Sequence, residues 1–401
     1  MSIYERLKNS DAAVIIFGKG KLGNYIQSLC ERHGVKISAF CDNSPEKQGK
    51  TVEGVPIFDI GTVFDNFKKI IFIVGVTYSV EEISDRIRTY DNGRLVECLY
   101  ADQFFDINDI ADWDFDSRWK LEAAWYIHGW YRKGGMLYLK SLDYVITERC
   151  SLKCRECGSL MPFYERPNNF PLEDMKREID RIADIYDVIF DLRILGGEPL
   201  LHPALPEFIN YAGAQSKIMR IGIYTNGTIV PSDKLMEVSK ASGITRFSIS
   251  NYGKKSRRLK DVISKCELYG IEYELKDTKW LSRTLPIAKR HRSAEAIKKL
   301  YDDCCVKECI TLLKGRLYRC PFIANGLNLH ALPEEPNNVV DIFMPVPNEQ
   351  LKQTIQNVIH DREYFSLCDY CSGRSYTFQD EKEKISAAEQ TERPLPYQRF
   401  D

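Results

Sequence analysis

The chain has 401 residues, 44% of them hydrophobic and 11% aromatic, with 56 basic against 57 acidic residues. That is apolar material for two or three cores at about 100–200 residues each, and a net charge of −1 excludes a global attraction to nucleic acid or to an anionic membrane surface. The opening "MSIYERLKNSDAAVIIFG" carries no leader pattern, and no stretch reaches the ~20 apolar residues of a membrane span, so a soluble, cytoplasmic protein is expected.

The first apolar run, "AVIIF" at 13–17, meets "GKGKLG", and a helical segment "NYIQSLCERHG" follows. A second strand, "KISAFCDN", carries Asp42, 19 residues after Gly23, and a later run, "IIFIVGV", supplies another strand. Strand, glycine turn, helix and strand make half of a doubly wound unit. Gly18, Gly20, Gly23 and Asp42 are therefore candidate nucleotide-binding residues: the turn favours an anion and the acid reaches a ribose hydroxyl. The competing reading is a glycine turn that packs helix on strand. Residues 1–105 resemble the small Rossmann-like domains at the front of sugar acyltransferases and of some methyltransferases encoded with glycan genes.

Residues 106–140 hold Trp113, Trp119, Trp125 and Trp130 in a largely helical pattern and are expected as a linker packed between domains. From 141 onward strands and helices alternate. "LDYVIT" delivers a cysteine loop, "FDLRIL" runs into "GGEP", "RIGIY" into "TNG" and "RFSIS" into "NYG", with "IEYEL" as one more strand. Polar or glycine motifs thus recur just after strands, where a parallel barrel builds its site.

Of the 13 cysteines, Cys30, Cys41, Cys98 and Cys266 are scattered and read as small buried hydrophobes. The others form three groups, and in a reducing compartment clustered thiols point to metal rather than disulfides. "CSLKCREC" sets Cys150, Cys154 and Cys157 at C-x3-C-x2-C without a nearby fourth cysteine. Structural zinc wants a closed set of four ligands, so zinc would need His202 or a distant cysteine. An iron-sulfur cube held by three thiolates instead keeps one iron open.

This motif resembles that of the radical S-adenosylmethionine (radical SAM) superfamily, and the resemblance continues in order through "GGEPLLHP", "YTNG" and "SISNYG", over residues 141 to about 280. It implies that Cys150, Cys154 and Cys157 hold a 4Fe-4S cluster. It also implies that Gly196, Gly197 and Glu198 receive the SAM ammonium, and that Ser250 and Asn251 meet the ribose. The implied activity is reductive cleavage of SAM to a 5′-deoxyadenosyl radical that abstracts hydrogen from a substrate C–H bond, fed by an external reductant such as flavodoxin or ferredoxin. Two departures stand out: Glu156 occupies a position that is commonly aromatic in the family, and no adenine motif is evident after "IEYEL".

Towards the C-terminus, "LLKGRLYRC" reads as a hairpin, and Cys305, Gly315 and Cys320 give C-x9-G-x4-C ahead of the pair Cys368 and Cys371. This resembles the twitch domain, a shortened relative of SPASM, and implies one auxiliary 4Fe-4S cluster on Cys305, Cys320, Cys368 and Cys371, with Cys304 and Cys309 as substitutes. A zinc ribbon is the alternative. No catalytic residue is named by the sequence, although His202, His291 and His330 are candidate bases.

The expected architecture is α/β: an N-terminal half-Rossmann domain (1–105), a helical linker (106–140), a partial (β/α)6 radical SAM barrel (141–290), a small C-terminal cysteine-rich auxiliary cluster domain (291–375) and an extended tail (376–401). The expected function is a radical SAM oxidoreductase or epimerase acting on a carbohydrate, cyclitol or sugar-linked small molecule. The alternatives are a maturase that modifies peptides or proteins and a nonenzymatic zinc scaffold.

Overall fold

Two compact units make up the chain, Met1–Met136 and Leu137–Asp401. The computed structural model describes residues 1–111, 113, 115–277, 280–281, 286–361, 363–373, 384–385, 388–391 and 394–400. Among the described residues no helix is long and apolar enough to cross a membrane.

In the first unit, strands β1 (Ala13–Phe17), β2 (Ala39–Cys41), β3 (Thr51–Val52), β4 (Val55–Phe58), β5 (Ile70–Val74) and β6 (Leu95–Leu99) form one sheet in the order β3-β4-β2-β1-β5-β6. All pairs are parallel except β3 with β4. β5 is buried throughout and β1 beyond its first residue, which is why both read as unbroken apolar runs. The sheet is wider than the half unit expected. The extra strands "VPIF" and "LVECL" are short and partly exposed, so they left no clear period in the sequence.

The stretch expected as a linker is largely part of this first unit. Its helix, Phe115–Lys133, buries Leu121 and Ala124 in the unit's core. Trp125 donates its indole N–H to the Phe105 carbonyl at 2.9 Å, and Arg132 pairs with Asp102 at 2.6 Å. Trp113 likewise packs edge-on against Tyr25 within this unit.

The second unit begins with β7 (Tyr138–Leu139), which pairs with β9 (Val188–Ile189). Its main sheet contains β8 (Leu142–Val145), β10 (Leu192–Leu195), β11 (Ile221–Thr225), β12 (Thr245–Asn251) and β13 (Tyr273–Asp277), all parallel, with helices Leu172–Ile185, Leu205–Gly213, Asp233–Ser242 and Leu259–Tyr269 between them in sequence. β14 (Trp280–Leu281) lies outside this sheet and pairs with β18 (Lys384–Ile385). The hairpin β15 (Thr311–Leu313) and β16 (Arg316–Tyr318) continues the main sheet, followed by β17 (Val339–Asp341).

The sixth parallel strand of this partial barrel is β15, which pairs with β8. The cysteine-rich hairpin and the βα repeats accordingly share one sheet and one core, in which Tyr144, Ile194, Leu312, Leu317 and Phe365 are all fully or nearly fully buried.

Along the strands, Tyr144, Ile194, Ile223 and Phe247 enter that core. The alternate positions carry mostly polar side chains in paired rows: Asp143, Arg193 and Arg246, with Gly222 between the two arginines, then Tyr224, Ser248 and Glu274. Arg193 bonds Asp143 at 2.8 Å, and Arg246 reaches Asp191 at 3.0 Å. A charged row inside a parallel sheet is costly unless paired; here ion pairs offset part of that cost, while burial still raises the Asp143 carboxyl.

The tail is not simply extended. Its parts at 376–383, 386–387, 392–393 and 401 lie outside the described residues, but Leu395, Tyr397 and Phe400 pack against the core.

Candidate active site

The three-cysteine loop leaves the C-terminal end of β8. Its entry is fixed by buried Glu148, which accepts the Asn168 backbone N–H at 3.0 Å, the Lys314 ammonium at 2.9 Å and the Asn328 amide at 2.9 Å. Lys314 belongs to the hairpin turn, so the loop is tied to the hairpin by a bond that sequence spacing did not reveal.

Cys150, Cys154 and Cys157 lie within electrostatic reach of one another. Burial pushes the Cys150 thiol up, and the charges of Cys157, Glu198 and Cys154 add to it. Burial likewise pushes Cys154 to about 12, with Cys157 adding. Deprotonating Cys150 and Cys154 requires positive charge beside them, which a metal centre supplies. Among the described residues no group of three or more His, Cys, Asp or Glu side chains gathers as ligands of a single ion. An iron-sulfur cube makes a different demand, each thiolate binding its own iron. Glu156, the departure from the aromatic pattern, is itself buried.

Next to the loop, Asn226 directly follows β11. Its side-chain amide donates to Ser151 Oγ at 3.1 Å and reaches Cys150 Sγ at 3.7 Å, while its oxygen accepts the Thr228 hydroxyl at 2.6 Å. Ser151 Oγ and Thr228 Oγ1 lie 2.5 Å apart. Buried Ser256 donates to the Asn226 carbonyl at 2.7 Å or the Ser250 carbonyl at 3.0 Å, joining the ends of β11 and β12. The sequence marks "YTNG" as a strand end, but no spacing or motif in it distinguishes Asn226, Thr228, Ser151 or Ser256.

The GGE turn closes against the same loop. A Cβ on Gly197 would meet the Arg149 carbonyl oxygen at 2.2 Å, so this close approach requires glycine. Glu198 is 0% exposed and accepts N–H groups from Leu200 at 3.2 Å and Asn226 at 2.8 Å. Burial raises its carboxyl to about 7, against the lowering effect of the bonds from Asn226, Thr225 and Leu200. The carboxylate thereby joins the ends of β10 and β11.

Ser250 and Asn251 sit at the end of β12, and the Asn251 amide donates to Asp277 at 2.8 Å. His202 is buried, its ring between the Phe170 carbonyl at 2.8 Å and the Ala204 N–H at 3.2 Å, and burial lowers its pKa. It reads as a packing residue. His291 and His330 are exposed and take up left-handed backbone positions.

Around the C-terminal cysteines, burial raises Cys320 well above the usual thiol range, and the cysteine charges that weigh most on it are Cys368, Cys304 and Cys371. Burial raises Cys368 to about 12, with Cys371 and Cys304 adding. Cys305 acts instead on Cys309, which lies beside Asp143 and Arg193. Electrostatically, Cys304 thus groups with Cys320 and Cys368, and Cys305 with Cys309.

In the first unit, Asp42 accepts the Lys19 and Ser44 N–H groups at 3.0 and 2.9 Å and the Lys47 ammonium at 2.9 Å. Burial pushes its carboxyl up, but these bonds win and hold it below the usual range. The acid braces the glycine turn. A Cβ on Gly23 would stand 1.9 Å from the Gly18 carbonyl oxygen, so packing accounts for that glycine; around Gly20 the space is open.

Residues 144–251 match the model of the Radical SAM superfamily. Among curated proteins, a GTP 3′,8-cyclase of Helicobacter pylori is 32% identical over 200 residues, 47% of this chain and 58% of that protein. An AdoMet-dependent heme synthase of Nitratidesulfovibrio vulgaris is 30% identical over 111 residues, 28% of this chain and 29% of that one. The chain spans about half the length of the first of these relatives. A solved structure described as native anSMEcpe with bound AdoMet aligns with a TM-score of 0.39 at 12% identity, covering 62% of this chain and 93% of that one. The superfamily's cofactors are a 4Fe-4S cluster and SAM, and the loop of Cys150, Cys154 and Cys157 falls inside the matched segment. Over residues 144–251 the chain carries a radical SAM domain.

Proposed function

We propose that this chain is a radical SAM enzyme acting on a polar small molecule, with a carbohydrate, cyclitol or related polyol as its substrate and oxidation or epimerisation as its outcome. The observation that carries the reading is convergence: the cysteine loop, the GGE turn and Asn226 follow β8, β10 and β11, at the end of a parallel sheet where sites are built. Cys150, Cys154 and Cys157 would hold the SAM-binding cluster. Cys304, Cys320, Cys368 and Cys371 would hold one auxiliary 4Fe-4S cluster.

When bound, cluster and SAM supply a radical that removes hydrogen from an unactivated C–H bond. This chain's own part is to position and to shield. Asn226 and Ser151 order the cysteine loop, and Glu198 locks neighbouring strand ends together. The rows of Asp143, Arg193 and Arg246 and of Tyr224, Ser248 and Glu274 offer hydroxyl-rich or charged substrates a set of oriented polar groups. For an alcohol, once the C–H hydrogen atom has gone to the radical, oxidation to a ketone would still have to release one proton and one electron, and a cluster on Cys304, Cys320, Cys368 and Cys371 would serve as the electron acceptor; the external reductant is a flavodoxin or ferredoxin.

A nucleotide is the second reading, favoured by the relatives named GTP 3′,8-cyclase. A peptide substrate is the third. Incubation under reducing conditions with deuterated polyols, GTP and peptides separates them: deuterium transfer into 5′-deoxyadenosine from a polyol supports the first reading, and transfer from GTP or a peptide alone overturns it.

A further inference from the structure

The C-terminal segment returns to the three-cysteine loop and forms a short antiparallel bridge with it, Cys154 opposite Gln390. Arg155 donates its backbone N–H to the Glu389 carbonyl at 2.7 Å, and Thr391 donates to the Lys153 carbonyl at 2.8 Å. Further along, Leu395 N–H bonds the Pro162 carbonyl at 3.1 Å and Phe400 N–H the His330 carbonyl at 2.7 Å, while Tyr397 packs edge-on against Phe163.

Within this strap, the Gln390 side chain is held at both ends. Its oxygen accepts the Lys153 N–H at 2.7 Å, and its Nε2 donates to the Ala388 carbonyl at 2.7 Å and to Cys154 Sγ at 3.5 Å. The acceptor bond from Lys153 fixes which way the amide faces, so the N–H is presented to sulfur by design of the loop rather than by free rotation.

We propose that Gln390 is a positioning residue of the cluster on Cys150, Cys154 and Cys157: its amide donates a hydrogen bond to the Cys154 thiolate and makes that cluster easier to reduce. The inference rests on the proposed function, since it assumes a cluster at this loop. An N–H···S bond stabilises the more negative, reduced state of an iron-sulfur centre, and hydrogen bonds to sulfur are a recognised control of potential. The C-terminal segment thereby has a redox role, 236 positions from the cysteine it serves.

The test uses the anaerobically reconstituted full chain and reads the EPR signal that SAM perturbs. Gln390→Glu keeps the acceptor for Lys153 but loses the donor; Gln390→Leu loses both; Glu389→Ala removes the Arg155 ion pair and leaves the amide. Both Gln390 variants are expected to shift the reduction equilibrium at least tenfold toward the oxidised cluster, which is 59 mV for one electron, while Glu389→Ala stays at the parent potential. Should the variants shed iron, the parent protein labelled with side-chain 15N-glutamine answers instead: a 15N coupling to the reduced cluster is expected. Unchanged potentials in iron-loaded variants, or no 15N coupling in the parent, overturn the proposal. No iron and no SAM-sensitive signal in the parent would overturn the proposed function as well.

Discussion

Asn226 sets its side-chain amide 3.7 Å from Cys150 Sγ and 3.1 Å from Ser151 Oγ, so the end of β11 governs the first cysteine of the loop. Replacing it with alanine leaves the hydroxyls of Ser151 and buried Thr228 without their shared partner. Asn226→Ala should lower stability by about 1–3 kcal/mol and reduce the yield of 5′-deoxyadenosine roughly tenfold or more. Denaturant unfolding and product quantification check the two effects separately.

A second prediction concerns pH. Glu178 is buried behind the hairpin turn, where it accepts the Tyr144 hydroxyl at 2.6 Å. Burial raises its carboxyl from 4.5 to about 6; Asp174 adds, while the bonds from Tyr144 and Gly315 and the charge of Arg177 oppose. The folded state therefore holds its proton longer than the unfolded one. Stability from this group is fully present below pH 4.5 and is lost as pH rises through about 6. The loss is about 2 kcal/mol at most. Glu178→Gln should flatten unfolding free energy across that window, and parallel pH profiles for the two proteins would contradict the assignment.

The glycine turn of the first unit separates packing from ligand binding. Gly23→Ala places a methyl 1.9 Å from a backbone oxygen and should destabilise that unit by several kcal/mol, on the order of 3 or more. Gly20→Ala meets nothing within 4 Å and should change stability by less than about 1 kcal/mol. Thermal unfolding of both variants is the measurement. Equal, small effects would return weight to a ligand-driven turn.

How far the sequence spoke can be judged from the same residues. Cys150, Cys154 and Cys157 were legible because local spacing carries the chemistry. β8, β10, β11 and β12 were legible because buried parallel strands are apolar and end on polar turns. Asn226, Ser256 and Gln390 were not, because their roles depend on contacts between strand ends or across 236 positions, and no period encodes those. The Glu198 motif was legible too, but the bonds that tie its buried carboxylate to Leu200 and Asn226 were not, because they depend on packing. The width of the first sheet was missed because β4 and β6 are short and half-exposed.

The adjacent pair Cys304 and Cys305 gives a sharp contrast. If Cys304 joins Cys320, Cys368 and Cys371, then Cys304→Ala should lower iron by about four per chain, one cluster's worth. Cys305→Ala should leave iron unchanged. Iron and acid-labile sulfide analysis after anaerobic purification decides it; iron lost with Cys305 and retained without Cys304 would restore the spacing-based assignment.

The most direct measurement is reductive cleavage of SAM by the anaerobically reconstituted protein, compared with Cys154→Ala. The account predicts two clusters' worth of iron and sulfide, 5′-deoxyadenosine formed under reducing conditions, and loss of both the SAM-sensitive cluster and the product in the variant. A protein that binds zinc without iron or sulfide, or one that forms equal product without Cys154, would contradict it.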